Sequence, residues 1–220
     1  MFLNPGVGIT PERAMGDWRG LLEELCRARA PGPAPSFSEV HVLKAIEVIA
    51  TAGRIGRASL AKALGLGEGA VRTLLDRLSE RGLTRTSRRG CELTELGLAL
   101  WEKIRSRLAG KAEVGEPFLS LGKHNVALLV RGGAVKVRRG IEQRDEAVRA
   151  GATGAVTLVL REGRLAIPGI TDDLSSERPE AAEHIMEALG PGEGDAIVIC
   201  GADDPLVAEY GALAAALTLI

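Results

Sequence analysis

The sequence predicts an α+β protein whose two main parts follow each other along the chain. The first part shows helical periodicity and one β-hairpin pattern, and the second shows strand and helix patterns in the order βαββαβ, followed by a terminal helix. Charge divides the chain in the same way. Residues 36–110 carry 13 basic and 8 acidic residues, whereas residues 111–220 carry 11 basic and 17 acidic ones. We therefore predict a helix and linker over 1–35 and domains over 36–110 and 117–220.

Composition excludes several classes of protein. The chain has 220 residues, of which 45% are hydrophobic and 26% charged, as in globular proteins. Its three cysteines and three histidines are widely scattered, so neither a disulfide framework nor a zinc site is expected. The start, "MFLNPGVGIT", lacks the basic and apolar regions of a signal peptide. The most apolar segment, 205–220, is shorter than the roughly 20 residues that span a bilayer. We expect a cytoplasmic protein with no membrane partner, metal or cofactor.

The first region, residues 1–35, contains an amphipathic helix and a linker. Over residues 17–29, "DWRGLLEELCRAR" places Trp18, Leu21, Leu22 and Leu25 on one side. This helix either packs on its own domain or serves as a dimerisation arm. Three prolines and a glycine in "RAPGPAPS" then indicate a semi-rigid linker. Ser36 and Glu39 match a capping box that starts the next helix.

The second region, residues 36–110, is predicted to contain three helices, a hairpin and a closing helix. The first helix runs to about Thr51, and a short one covers residues 57–65. The third is "LGEGAVRTLLDRLSERG", residues 66–82, with apolar residues at positions i, i+3, i+4 and i+7. Residues 83–94 alternate around a basic tip that contains a glycine, which indicates a β-hairpin. The closing helix, residues 94–108, either forms a dimer seam or covers its own core.

This order of elements, together with "LAKALGL", "LSERGL" and "LTELG", resembles the winged helix-turn-helix of prokaryotic transcription regulators. The resemblance implies that residues 67–81 form a recognition helix in the major groove of DNA. It also implies that residues 83–93 form a wing on the backbone or minor groove. Two longer stretches, "PSFSEVHVLKAIEVIATAGRIGR" and "GIEQRDEAVRAGATGAVTLV", are similar to an archaeal family of uncharacterised winged-helix proteins. The C-terminal domain of that family has no assigned function.

The candidate DNA-binding residues lie on the second helix, the outer face of the third helix and the hairpin. Arg72 and Thr73 are suited to base edges, and the small Gly69 allows close approach of the backbone. The other candidates are suited to phosphate contacts. They are Ser59, Lys62, Arg77, Arg85, Arg88 and Arg89. The acidic residues of the same helix face, Asp76 and Glu80, are expected to stand back from DNA. We expect double-stranded DNA as a partner and a homodimer on a two-fold-related site.

The acidic C-terminal region is predicted to fold as an α/β sandwich of ferredoxin-like type. It carries no nucleotide-binding signature and no recognisable catalytic set. Two places can hold a small-molecule effector: Arg144 and Asp145 in the polar run "EQRDE", and Asp203 and Asp204 after a strand. Equally, "EQRDE" is a solvated helix face, and one of the latter two aspartates caps the last helix.

This region is expected to dimerise or to sense a metabolite, and we expect no enzymatic activity. Two alternatives stay open: an enzyme with an appended winged helix, or a winged-helix scaffold that binds protein.

Overall fold

The structure, a computed structural model, describes residues 17–29, 32–115 and 121–220. The chain divides into two compact units, residues 1–104 and 105–220. The stretch considered for a signal peptide and the predicted domain start at residue 117 lie outside the described residues. Within the described part, no helix is long and apolar enough to cross a membrane.

The first unit follows the predicted order of elements. It contains a single helix, three further helices, a two-stranded antiparallel hairpin and the start of a closing helix. These elements are α1 (Trp18–Cys26), α2 (Glu39–Ala52), α3 (Arg57–Leu64), α4 (Glu68–Glu80), β1 (Thr84–Ser87), β2 (Gly90–Leu93) and α5 (Glu95–Arg107). Buried leucines and isoleucines from α2, α3 and α4 form the core between them. The apolar positions of the third predicted helix, from Val71 to Leu78, are among them, so its inner face is confirmed.

Helix α1 packs on its own unit. All of the apolar residues of its predicted inner side are buried, and the helix contacts α2 and α4. Asp17 starts it, because its side chain accepts a hydrogen bond of 2.9 Å from the Gly20 amide. The apolar side of α1 is therefore used within the unit, as the first of the two interpretations requires.

Helix α2 begins two residues later than the predicted cap. Its N-cap is Ser38, not Ser36, and the box partner is His41 instead of Glu39. The Ser38 amide donates to Nδ1 of His41 at 3.2 Å, and the two side chains are 2.9 Å apart. An unprotonated imidazole nitrogen takes the accepting role that a glutamate usually has in this motif. The serine-to-glutamate spacing of Ser36 and Glu39 matched the motif two residues too early.

The hairpin leads into α5 through a close approach between backbones. Thr94 Oγ1 accepts from the Gly97 amide at 3.1 Å and donates to the Gly82 carbonyl at 2.5 Å. A Cβ on Gly97 would lie 2.1 Å from the Leu83 carbonyl oxygen, so only glycine fits there. The "LT..G" spacing therefore reflects a helix packed directly on the backbone that leads into β1. Leu100 is buried in the core of the unit, which supports the core-covering interpretation of α5.

The second unit contains the predicted βαββαβ order and terminal helix, with three additions: a first strand, a 3₁₀ turn and a short helix. The elements are β3 (Leu108–Glu113), β4 (His124–Val130), a 3₁₀ turn (Gly133–Lys136), α6 (Ile141–Arg149), β5 (Gly154–Arg161), β6 (Arg164–Ala166), α7 (Leu174–Glu177), α8 (Pro179–Leu189), β7 (Ala196–Ala202) and α9 (Pro205–Leu217). Strand β3 overlaps the last residue of the predicted closing helix and extends into the interval between the two predicted domains. Its residues alternate between half-buried and exposed and have weak strand propensity, so its pairing with β4 decides its conformation.

The five strands form one antiparallel sheet in the order β3-β4-β7-β5-β6. The α+β class is confirmed, but the order departs from the ferredoxin-like expectation. In that fold the second strand of the hairpin, here β6, lies between the two strands joined by the first helix. Here the last strand, β7, lies between β4 and β5 instead. Strand β6 is only three residues long and stays at the edge, paired with β5 alone.

Helices cover both faces of this sheet. One face joins β4, β5 and β7 to α7 and α8 in an apolar cluster that includes Leu129, Leu158 and Ile197. The opposite face contacts α6 and α9. Every residue of β7 is buried, as expected for a strand whose apolar residues run without alternation. A two-layer sandwich would leave one face of that run in water, which explains the departure from the predicted architecture.

Candidate nucleic-acid interface

A concave surface of the first unit lies between α4, the start of α3 and the β1–β2 hairpin. It encloses a volume of about 380 Å³. We call it the α4–hairpin groove. Its lining residues are Gly56, Arg57, Arg72, Leu75, Asp76, Thr86, Ser87, Arg88, Arg89, Gly90 and Cys91. The fold thus brings Arg72 of the predicted recognition helix together with the predicted hairpin arginines, Arg88 and Arg89.

The amino-terminal half of α4 presents an open face. Gly69, Arg72 and Thr73 are exposed. A Cβ placed on Gly69 would find nothing within 4 Å, so a partner can approach the helix backbone closely at this point. Thr73 Oγ1 donates to the Gly69 carbonyl at 3.2 Å, which keeps the threonine side chain against its own helix.

The hairpin tip carries two exposed arginines in a tight turn. Arg88 and Arg89 lie between the paired residues Ser87 and Gly90. Ser87 Oγ accepts from the Arg89 amide at 3.2 Å and lies 3.3 Å from the Gly90 carbonyl, so the serine closes the turn. The turn backbone is therefore held in place while both guanidinium groups remain in solvent.

The arginines of this surface differ in how they are paired. Arg57 lies 3.5 Å from Glu68, and Arg85 donates to Glu92 at 2.6 Å. Glu92 also accepts from Arg54 at 2.9 Å, and the hydrogen bonds from Arg54 and Arg85 lower the pKa of Glu92. This carboxylate therefore stays ionised and neutralises part of the hairpin charge.

Other cations on or beside this groove have no ion pair in the described part of the chain. Among the residues described, Lys62, Arg72, Arg88 and Arg89 have no ion-pair partner within 4.0 Å. The positive charges of these four side chains are therefore available to an anionic ligand.

Arg77 is a correction to the predicted phosphate contacts. Its side chain is 6% exposed, and Nη1 donates to the Leu25 and Arg27 carbonyls at 2.5 and 2.9 Å. Its guanidinium carbon lies 5.5 Å from the centre of the Phe37 ring. The arginine thus donates hydrogen bonds to carbonyls at the end of α1, where no amide of the same helix is available to do so. It binds the protein and is not available to DNA.

The remaining candidates of the first unit lie on its surface. Ser59 and Lys62 are exposed on α3 but do not line the groove. Glu80 pairs with Arg29 at 2.7 Å, outside the lining of the groove. Asp76, in contrast, lies within the groove, one helical turn after Arg72. Sequence reasoning missed Arg57 as part of this surface, although its position at the start of the second helix, beside the third, was a usable signal.

The four candidate effector residues of the second unit do not form one site. Arg144 and Asp145 pair with each other at 3.0 Å on the surface of α6. Asp204 caps α9 by accepting from the Leu206 and Val207 amides at 2.8 and 3.1 Å. Asp203 is exposed and lies 3.7 Å from Lys123. Asp204 therefore has the capping role that the sequence offered as its alternative.

One buried carboxylate of this unit was not predicted. Asp195 is 4% exposed and accepts from the Gly132 and Gly192 amides at 2.9 and 2.8 Å and from Arg131 at 2.5 Å. Burial alone would raise the pKa of Asp195, but the amide bonds and Arg131 together lower it. These contacts tie two loops together, so its role is structural. Among the described residues, no group of His, Cys, Asp and Glu can hold a metal ion.

Parts of both units match known domain families, and the structure is similar to that of a hypothetical protein. Residues 44–99 match the PH0730-like N-terminal domain, and residues 121–219 match a domain of unknown function (DUF4443). The structure is similar to that of hypothetical protein PH0730 from Pyrococcus horikoshii OT3, with a TM-score of 0.65 and 29% sequence identity. That similarity covers 82% of this chain and 91% of the other. No curated protein matches the chain at a significant level.

These similarities confirm the coarser part of the resemblance seen in the sequence. The chain is similar to an uncharacterised archaeal protein over most of both chains, and its C-terminal part matches a domain of unknown function. None of the matched descriptions states an activity or a ligand.

Proposed function

We propose that the chain is a DNA-binding transcription regulator whose first unit, a winged helix-turn-helix, binds double-stranded DNA through the α4–hairpin groove. One observation carries the proposal: the groove places Arg72, Arg88 and Arg89 on one surface, and none of them has an ion-pair partner among the described residues. Unpaired guanidinium groups on a concave surface are suited to a polyanion, since a phosphate replaces water around them without first breaking an internal pair.

Helix α4 supplies the contacts that read sequence. Residues 67–81 enter the major groove with the exposed amino-terminal face leading. Arg72 donates two parallel hydrogen bonds to a guanine, and Thr73 contacts a neighbouring thymine methyl group. The open space around Gly69 lets the helix backbone approach the bases. Asp76 repels phosphate in the middle of the groove but accepts from a cytosine amino group, so it favours specificity over affinity.

The hairpin supplies contacts that do not depend on sequence. Arg88 and Arg89 bind phosphates or a narrow minor groove next to the site that α4 occupies. Ser59 and Lys62 add phosphate contacts along α3, whereas Arg57 adds less because it lies 3.5 Å from Glu68. Arg85 contributes less, because Glu92 already holds it. The basic balance of residues 36–110 supports this assignment, and the acidic second unit is left to dimerise or to bind an effector.

A homodimer completes the proposed binding mode. One first unit offers only a few base contacts, and a two-fold-related pair doubles them over two half-sites separated by about one helical turn of DNA. Leu98 of α5 is 48% exposed, which makes this helix a candidate for part of the seam. To test this seam, the mass of the particle in solution is measured for the native chain and for Leu98→Glu.

The proposal is tested by selecting genomic fragments that the purified full-length chain binds at low salt. We expect enrichment of a short, two-fold-symmetric site. In a titration of that site, Arg72→Ala should cost about 1–3 kcal/mol and relax the preference at one base pair per half-site. Arg149→Ala, which removes an exposed arginine of the second unit, is the control and should bind as the native chain does. Absence of any enriched fragment would favour a protein-binding scaffold instead.

A further inference from the structure

A second cavity lies wholly within the second unit, between the start of α6 and the outer strands of the sheet. It encloses about 530 Å³. Its basic side is formed by Arg139 and Arg144, and its floor by residues 155–157 of β5. Residues 167–170, which follow β6, close the opposite side. The cavity combines a helix N-terminus, two guanidinium groups and a strand edge, and the proposed DNA interface uses none of them.

The start of α6 offers unsatisfied amide donors. Gly140 caps this helix with φ of +73°, and no side chain in the described part of the chain caps its first turn. The amides at the start of a helix have no acceptor within it and attract negative charge. Arg139 has no ion-pair partner among the described residues, and Arg144 has only its exposed neighbour Asp145. The arginine side chains and the backbone amides of α6 therefore both contribute positive potential to the cavity.

The floor of the cavity supplies an independent observation. Thr157 is 3% exposed, and its Oγ1 is buried with no hydrogen-bond partner among the described residues. A Cβ on Gly140 would lie 3.3 Å from this hydroxyl oxygen, so the hydroxyl lies directly against the helix N-terminus. Buried hydroxyl groups are almost always hydrogen-bonded, and an unpartnered one requires an explanation. A ligand oxygen held at the start of α6 would provide the missing acceptor.

The remaining walls are backbone and apolar side chains. Strand β6 pairs with β5 only from Val159 to Arg161, so residues 155–157 are unpaired on that edge. Ile141 and Ile170 flank the opening and are 45% and 75% exposed, unusually high for isoleucine. A ligand with an apolar part would cover both side chains.

We propose that this cavity binds a small organic anion, in which a carboxylate or phosphate group is carried on an apolar portion. The oxyanion lies between Arg139, Arg144 and the first amides of α6 and accepts from the Thr157 hydroxyl. The apolar portion packs on Ile141 and Ile170. The proposal does not depend on DNA binding, since every contact belongs to the second unit. It replaces the sequence-based effector residues Asp145, Asp203 and Asp204 with a different set around Arg144.

The test uses the full-length chain labelled with ¹⁵N and titrated with three probes: inorganic phosphate, isovalerate and the uncharged analogue isovaleramide. We expect the amide signals of residues 140–144 to shift with phosphate and with isovalerate but not with isovaleramide. The tighter-binding probe identifies which oxyanion the site prefers. No shift at these residues with either anion, or equal shifts with the neutral amide, would overturn the proposal. The assay contains no DNA, so its result is independent of the proposed regulator function.

Variants distinguish a specific anion-binding site from nonspecific attraction of anions to surface arginines. Arg144→Gln and Thr157→Val should each weaken binding of the preferred anion at least about tenfold, the effect of losing a hydrogen bond to a charged group. Thr157→Ser keeps the hydroxyl and should bind as the native chain does. Arg149→Gln removes a charge from the far end of the same helix and is the matched control. If Thr157→Val is folded by NMR and binds the anion with unchanged affinity, the anion binds only to surface arginines. That result would overturn the proposal.

Discussion

Replacing both arginines of the hairpin tip with alanine is the sharpest test of the proposed DNA interface. Each phosphate that a protein neutralises contributes about 0.9 to the slope of log K against log salt. Loss of Arg88 and Arg89 should therefore reduce the slope by about 1.8. Between about 50 and 200 mM salt, the native chain should then lose about 12-fold more affinity than the variant does. Neither arginine makes an ion pair in the described part of the chain, so no internal partner is left uncompensated.

The assay is fluorescence anisotropy of a labelled duplex taken from the genomic selection, titrated at four or more salt concentrations. The chain offers a matched control, since Lys136 and Arg138 are two exposed cations of the second unit that line neither the α4–hairpin groove nor the second cavity. Replacing them removes the same charge but should leave the slope at its native value. The reasoning is refuted if the hairpin variant keeps the native slope, or if the control pair lowers it equally.

Three further predictions concern stability and are measured by urea unfolding, followed through the two tryptophans of the first unit. Arg77→Met should lower the free energy of unfolding by about 3 kcal/mol, because two carbonyls lose a charged donor, whereas the exposed Arg72→Met should change it by less than about 0.5 kcal/mol. Gly97→Ala should cost at least about 2 kcal/mol, because its Cβ meets a carbonyl oxygen, and Gly69→Ala in open space should instead stabilise by about 0.5–1 kcal/mol. Burial lowers the pKa of His41, so the unfolded chain binds this proton more readily; stability should fall as pH drops below about 6.5, and His41→Gln should flatten that fall. A slope equal to that of the native chain in His41→Gln would contradict this account.

Local pattern was sufficient for much of the first unit. The spacing of Val71, Leu74, Leu75 and Leu78 predicts the inner face of α4, and all four are buried. The basic tip with its glycine predicts the hairpin, and the turn at Glu162 and Gly163, both with positive φ, is likewise present between β5 and β6. Such features depend on neighbours within a few residues, so the sequence carries their signal directly.

Contacts between distant segments account for the main errors. Arg77 lies on the flank of the helix by periodicity alone, and nothing local shows that carbonyls some 50 residues earlier receive its hydrogen bonds. Strand β3 was missed because its pairing with β4 outweighs its weak propensity. The cap of α2 was misplaced because a histidine stood in for the usual glutamate.

The candidate sites show the same division. Residue types and spacing alone identified Arg72, Arg88 and Arg89 as candidates, but their convergence on one groove requires the packing of α4 against the hairpin. Arg144 was singled out from a polar run, whereas Thr157 and Gly140 carry no signal that links them. Only the fold brings that hydroxyl to the start of α6.

Composition and periodicity are properties of short windows, so they predict the α+β class, the order of the predicted elements and the separation of basic from acidic halves. Tertiary structure decided the central place of β7, the helices on both faces of the sheet and the division of arginines into paired, buried and unpaired ones. These three features depend on contacts between segments that are distant in sequence. The neighbours of an apolar strand, and the ion-pair partner of a guanidinium group, are set by the packing of the whole unit.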